Sequence, residues 1–136
     1  MKRNITVIVE SAENNLSAYV QEVDGITATG KDFREIKKSA IEAIDLYKES
    51  CEEFGYEIPE VLRGEYEVTF KYDLCSFLQA YSSVLNKSGL ESLTGINQKQ
   101  LWHYASGQSK PRKETVSRVS TAIQTLASEL SSVQFV

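Results

Sequence analysis

Between Ile5 and Glu10 apolar and polar positions alternate, with Ile5, Val7 and Val9 on one side, the two-residue period of a half-buried strand. The polar stretch SAENN separates this run from LSAYVQEV, Leu16 to Val23, which reads as a second strand and makes a hairpin with the first. Asp24-Gly25 forms a turn, and ITATG is a short third strand ending at Gly30. From Phe33 the period changes. Phe33, Ile36, Ala40, Ile44, Tyr47, Cys51 and Phe54 recur by threes and fours, one stripe along a helix of about six turns. Asp32 stands at its N-cap with Glu35 three residues on, a capping box with Asp in the Ser/Thr place, and Gly55 supplies the stop. The stripe is wide enough to cover one sheet face, and Cys51 within it reads as a small core residue.

YEIPEVLRG is a connector, followed by EYEVTFKYD, where Tyr66, Val68, Phe70 and Tyr72 alternate with Glu65, Glu67, Thr69 and Lys71. Residues 1–72 therefore read as a β-β-β-α-β domain with one helix on a single sheet face. After Asp73 no strand pattern follows. DLCSFLQAYSSVL suits a helix capped by Asp73, with Leu74, Phe77, Leu78 and Tyr81 inward. Asn86 caps KSGLESLT, which Gly95 stops, and Asn97 caps QKQLWHYAS, which Gly107 stops. In ETVSRVSTAIQTLASELSSV the residues Val116, Val119, Ile123, Leu126, Leu130 and Val133 keep 3-4-3-4-3 spacing, another amphipathic helix. The expected fold class is α+β: a small sheet domain over 1–72 and an all-α domain of four helices over 73–136.

Charge separates the same halves. Residues 1–72 hold 9 Lys/Arg against 15 Asp/Glu, whereas residues 73–136 hold 6 against 4. All six of those basic residues fall between Lys87 and Arg118, which points to nucleic acid for that window and a different partner for the acidic part. A net charge of −4 over 136 residues argues against a uniformly basic coat. Cys51 and Cys75 make neither a disulfide framework nor a Cys-x-x-Cys pair. No apolar run approaches the roughly 18 residues of a membrane span. The N-terminal MKRNITVIVE runs straight into a strand pattern without a signal-peptide core, so the expected location is cytoplasmic.

His103, the one histidine, has no metal-site spacing around it, and no phosphate loop, HExxH or GxSxG motif is present. Neither an enzyme nor a cofactor or metal site is expected. The informative stretch is Gly95 to Gly107. A helix, a Gly-centred turn and a capped second helix form a helix-turn-helix pattern, whose second helix meets base edges in the major groove with its N-terminal residues. Those residues are Gln98, Lys99 and Gln100 behind the cap Asn97, with His103 one turn on; Gln pairs with adenine and Lys with guanine acceptors. Leu101 and Tyr104 face the module's core. GQSKPRK adds Lys110, Arg112 and Lys113 beside Gly107, the residue types that contact phosphates. The pattern alone leaves Trp102 open between a contact with a partner and partial burial.

Across nearly its whole length the chain resembles the HicB family of antitoxins from type II toxin–antitoxin systems. ITVIVE, LSAYVQEVDGITATGKDFREIKKSAIEAI and EYEVTFKYD are similar to that family's truncated ribonuclease-H-like domain. The segment from DLCSFLQAYSSVL through GINQKQLWHYASGQSKPRKETVSRV resembles the phage-repressor-like helix-turn-helix that many members carry C-terminally. Two departures stand out: EVDG lacks the family's proline-containing turn ahead of Gly25, and Glu91 replaces a small residue, which predicts a shifted or shortened helix there. The resemblance implies that residues 1–72 mask a small basic ribonuclease toxin, HicA-like, without catalysis of their own. It implies that residues 73–136 bind double-stranded operator DNA as a homodimer or higher oligomer, repressing the operon. A stand-alone transcriptional regulator with a ligand-sensing or oligomerising first domain is the alternative, and an RNA-processing enzyme a third reading.

Overall fold

The computed structural model describes residues 2–136. They form an α+β fold with a four-stranded mixed sheet and five α-helices, divided into two compact units that part between Tyr81 and Ser82. Among the described residues no helix is long and apolar enough to cross a membrane.

The first unit contains β1 (Arg3–Ser11), β2 (Leu16–Val20), β3 (Thr27–Gly30), α1 (Phe33–Phe54), a 3-10 turn at Glu60–Leu62, β4 (Tyr66–Tyr72) and α2 (Leu74–Ala80). The strand order is β3-β2-β1-β4, with β1 antiparallel to β2 and parallel to β4. Ile5, Val7 and Val9 of β1 and Leu16, Ala18 and Val20 of β2 bury one sheet face against Ile36, Ala40 and Ile44 of α1. Each fully buried aliphatic chain contributes about 1.5–3 kcal/mol, so this layer holds the unit together. The opposite face carries exposed Asn4, Glu10, Glu67, Thr69 and Lys71. Helix α1 has the bounds its stripe predicts: Asp32 Oδ1 accepts from the Glu35 N–H at 2.9 Å, and Gly55 closes the last turn at φ 73°. Cys51 is buried in it. Gly30 lies so close to α1 that a Cβ there would fall 2.5 Å from the Ile36 nitrogen.

Two expectations are corrected in this unit. The second strand stops at Val20 instead of Val23, because the chain bends to bring the Glu22 carboxylate within 2.8 Å of the Thr6 N–H, which donates to it. Helix α2, expected as the first helix of the C-terminal domain, belongs to the first unit, and it ends at Ala80. Asp73 caps it as predicted, accepting from the Ser76 N–H at 2.7 Å. The fully buried Ser76 then donates its hydroxyl to the Val9 carbonyl at 3.1 Å, fixing α2 to the end of β1. Phe33 stacks on Tyr81 at 4.3 Å between ring centroids, and Tyr72 and Phe77 close the cluster around Tyr81 at 5.9 and 4.9 Å. Burial there, with Tyr81 alongside, pushes the Tyr72 hydroxyl from its ordinary pKa of 10.0 to about 12. The alternation of strand residues ends at Tyr72, but the apolar surface that needs cover extends to Tyr81. That surface moves the boundary from 72 to 81.

The second unit contains α3 (Lys87–Thr94), α4 (Gln98–Ala105) and α5 (Lys113–Ser131). Its core is small: Leu90, Thr94, Ile96, Leu101, Tyr104 and Val119 are its buried residues. Helix α5 forms where the apolar spacing predicts, yet Val119 alone of its stripe is buried. Val116 is 44% exposed and Leu130 58%, so the helix projects an apolar flank into solvent, and it ends at Ser131, short of Val133.

Candidate nucleic-acid interface

Three sequence-local devices build the α3–turn–α4 pair. Asn86 caps α3 by accepting from the Gly89 N–H at 2.8 Å. Gly95 ends it in the left-handed region at φ 76°, its N–H donating to the Glu91 carbonyl at 2.8 Å. Asn97 then caps α4, its Oδ1 accepting from the Gln100 N–H at 2.8 Å. Between the caps the Thr94 hydroxyl donates to the Leu90 carbonyl at 2.7 Å and accepts from the Ile96 N–H at 3.2 Å. Ile96, Leu101 and Tyr104 are buried, so the turn is pinned by both hydrogen bonds and apolar contact. The Gly95 turn has a second constraint: a Cβ there would stand 2.5 Å from Nη2 of Arg118 on α5. Arg118, far away in sequence, therefore lies over the turn, and nothing in the local pattern announces it.

Helix α3 runs its full predicted length, so Glu91 does not shorten it. Its carboxylate reaches the start of α4, accepting from the Gln98 N–H at 3.2 Å and from Gln98 Nε2 at 3.4 Å. An anion at a helix N-terminus satisfies orphan amides and complements the helix dipole. Gln98, expected as a base reader, is thus held by an internal contact that it must release to reach a base edge. Gln100 is half-buried and donates to the Ser109 hydroxyl at 3.4 Å, toward the following loop. His103 is also half-buried, with its ring 5.6 Å from that of Trp102. Lys99 is exposed.

The residue that sequence reasoning left open is the most prominent one. Trp102 is 50% exposed on the α4 surface opposite Leu101 and Tyr104. It lies three positions after Lys99, so the two share that outer face. The spacing 99–102–106 against buried 101 and 104 was the available signal.

Beyond α4 the chain folds back alongside the helix. The His103 carbonyl accepts from the Gln108 and Ser109 N–H groups at 3.0 and 3.3 Å, and Ser109 meets Gln100 in the first turn of α4. This return carries Lys110, Arg112 and Lys113, all exposed. Arg112 is the cap residue of α5 with no side-chain cap bond, leaving first-turn amides open beside the cations, although Glu114 sits in the same turn. No ion pair occupies these cations among the described residues. Exposed cations with free backbone amides suit phosphate contact, and the outer face of α4 suits groove or partner contact.

The first unit offers a different surface. The last turns of α1 expose Glu49, Glu52 and Glu53 with no basic residue to complement the helix C-terminus. Phe54 and Tyr56, 67% and 71% exposed, follow directly. Acidic side chains thus stand beside exposed aromatic rings at this end of α1. The Cys75 thiol is pushed up by burial and by Asp73, away from a reactive thiolate.

No protein-family model, curated protein or solved structure matches this chain.

Proposed function

We propose that the chain is an antitoxin-type autorepressor: the second unit binds double-stranded operator DNA, and the first masks a small basic ribonuclease toxin. The observation that carries the reading is the α3–turn–α4 pair, read as a helix-turn-helix of the phage-repressor kind. Its second helix is capped by Asn97, presents Lys99 and Trp102 outward, and is followed by the free cations Lys110, Arg112 and Lys113. In that geometry the α4 face enters the major groove, and the cations beside the open α5 N-terminus hold phosphates on the flank. The contacts with DNA then divide in kind. Lys99 and Gln98 read base edges, while Lys110, Arg112 and Lys113 position the unit regardless of sequence.

The sheet domain, read as truncated ribonuclease-H-like, supplies acidic surface at the end of α1, where Glu49, Glu52 and Glu53 would compete with RNA for a cationic toxin face. Co-expression with a short basic protein encoded beside it tests this half. Co-purification of the pair and relief of the partner's toxicity are expected. A partner that stays toxic and passes through separately, while this chain remains folded, would leave a DNA-binding regulator without an antitoxin role.

A further inference from the structure

Among the described residues, strand β4 has β1 on one side and no strand on the other. Its open edge is seven residues long, Tyr66 to Tyr72, unbroken by proline or glycine. Such an edge presents unpaired backbone donors and acceptors, and folds normally blunt it. The direction of those groups follows from one hydrogen bond. The Arg3 N–H donates to the Glu65 carbonyl at 3.4 Å, so Glu65 points at β1. Backbone groups alternate along a strand, so those of Glu67, Thr69 and Lys71 face β1. Those of Tyr66, Val68, Phe70 and Tyr72 face outward.

The side chains on this strand are complementary to themselves. When two copies of β4 run antiparallel about a two-fold axis at Thr69, the midpoint of the strand, all seven residues pair. Thr69 meets Thr69, and Glu67 meets Lys71 twice. All three are non-hydrogen-bonded pairs, whose side chains approach most closely. Val68 meets Phe70 twice and Tyr66 meets Tyr72 twice, in the positions whose outward backbone groups exchange hydrogen bonds. A second observation points the same way. Ile5, Val7 and Val9 on the inner face of β1 are at most 1% exposed, whereas Tyr66, Val68, Phe70 and Tyr72 on that face of β4 are only half-buried. The core is unfinished at this edge.

We propose that β4 is a homotypic interface, joining two copies of this chain into a continuous eight-stranded sheet centred on Thr69. The pairing rests on strand chemistry alone and stands apart from the reading of the second unit. Full-length Thr69→Cys tests it, because non-hydrogen-bonded cross-strand partners lie within disulfide reach. Mild oxidation should link it into a covalent dimer, while wild type with Cys51 and Cys75 does not link. Glu67→Cys, whose two copies would stand roughly 13 Å apart along the strands, should not link either. Adding Lys71→Glu to Thr69→Cys places like charges opposite each other at both pairs and should lower linking about tenfold. Adding Glu67→Lys as well should restore it, which separates loss of pairing from loss of folding. Equal linking at positions 67 and 69, or an unlinked Thr69→Cys chain that sediments as a monomer, would overturn the proposal.

Discussion

The two units bury their apolar residues on different scales. In the first, the inner faces of β1 and β2 and the stripe of α1 form one layer, and α2 adds a ring cluster at its end. In the second, six buried residues hold three helices, and half-exposed Val116 and Leu130 remain along α5. Charge follows the same division: 9 Lys/Arg against 16 Asp/Glu up to Tyr81, and 6 against 3 from Ser82. The sheet unit is a well-buried acidic body. The helical unit is a thin scaffold that keeps polar and cationic groups on display, with little apolar surface behind them.

The two units should first of all unfold separately. Leu101 is buried in the smaller core, so Leu101→Ala should cost about 2–5 kcal/mol there. Trp102 is the one tryptophan, so its emission follows the second unit alone. In a urea titration its transition should move to lower concentration, while the far-ultraviolet signal of the sheet unit keeps its midpoint. Ile36→Ala should do the reverse, and a joint shift of both signals in either variant would break the comparison.

Next in size is the division between reading and positioning. Lys99→Ala should lose about 1–3 kcal/mol against the preferred operator and little against a scrambled duplex. Arg112→Ala should weaken both duplexes alike. Equal losses for the two variants on both duplexes would mean that α4 does not read sequence.

A smaller effect tests Glu91. Its carboxylate caps α4 through Gln98 and also stands where an approaching phosphate would be repelled. Glu91→Gln should cost the second unit about 0.3–1 kcal/mol of stability and at the same time tighten DNA binding. A loss of both would place Glu91 in the DNA contact itself.

A last test belongs to the sheet unit and is read only in alkali. The folded state holds the Tyr72 proton to about 12, against 10.0 ordinarily, so it binds that proton more tightly than the unfolded chain does. The resulting stabilisation is whole below pH 10 and fades as pH rises toward 12. Tyr72→Phe should flatten the stability curve over that window, and an unchanged slope would remove Tyr72 as its source.

What the sequence disclosed and what it hid divide along the same physical line. Caps and periods are local, so Asp32, Asp73, Asn86 and Asn97 could each be placed with the helix it starts, and Leu101 and Tyr104 with the core. Non-local contacts could not be read. The place of α2 depends on Tyr81 meeting Phe33, and the end of β2 on Glu22 meeting Thr6. The occupation of Gln98 depends on Glu91 one helix earlier, and the parallel pairing of β4 with β1 leaves no mark in either strand. Of the candidate contacts, Lys99, Lys110, Arg112 and Lys113 are exposed, Gln98 and Gln100 are engaged internally, and Trp102 joins the outer face of α4.

DNA binding by the second unit should weaken steeply as salt rises. With about three phosphates neutralised per protomer through Lys110, Arg112 and Lys113, a dimer on its operator should give a log–log slope near −5 between affinity and salt concentration. Removing Arg112 from both protomers should reduce that slope by about two units. A slope near zero for the folded full-length chain would contradict DNA binding by the second unit.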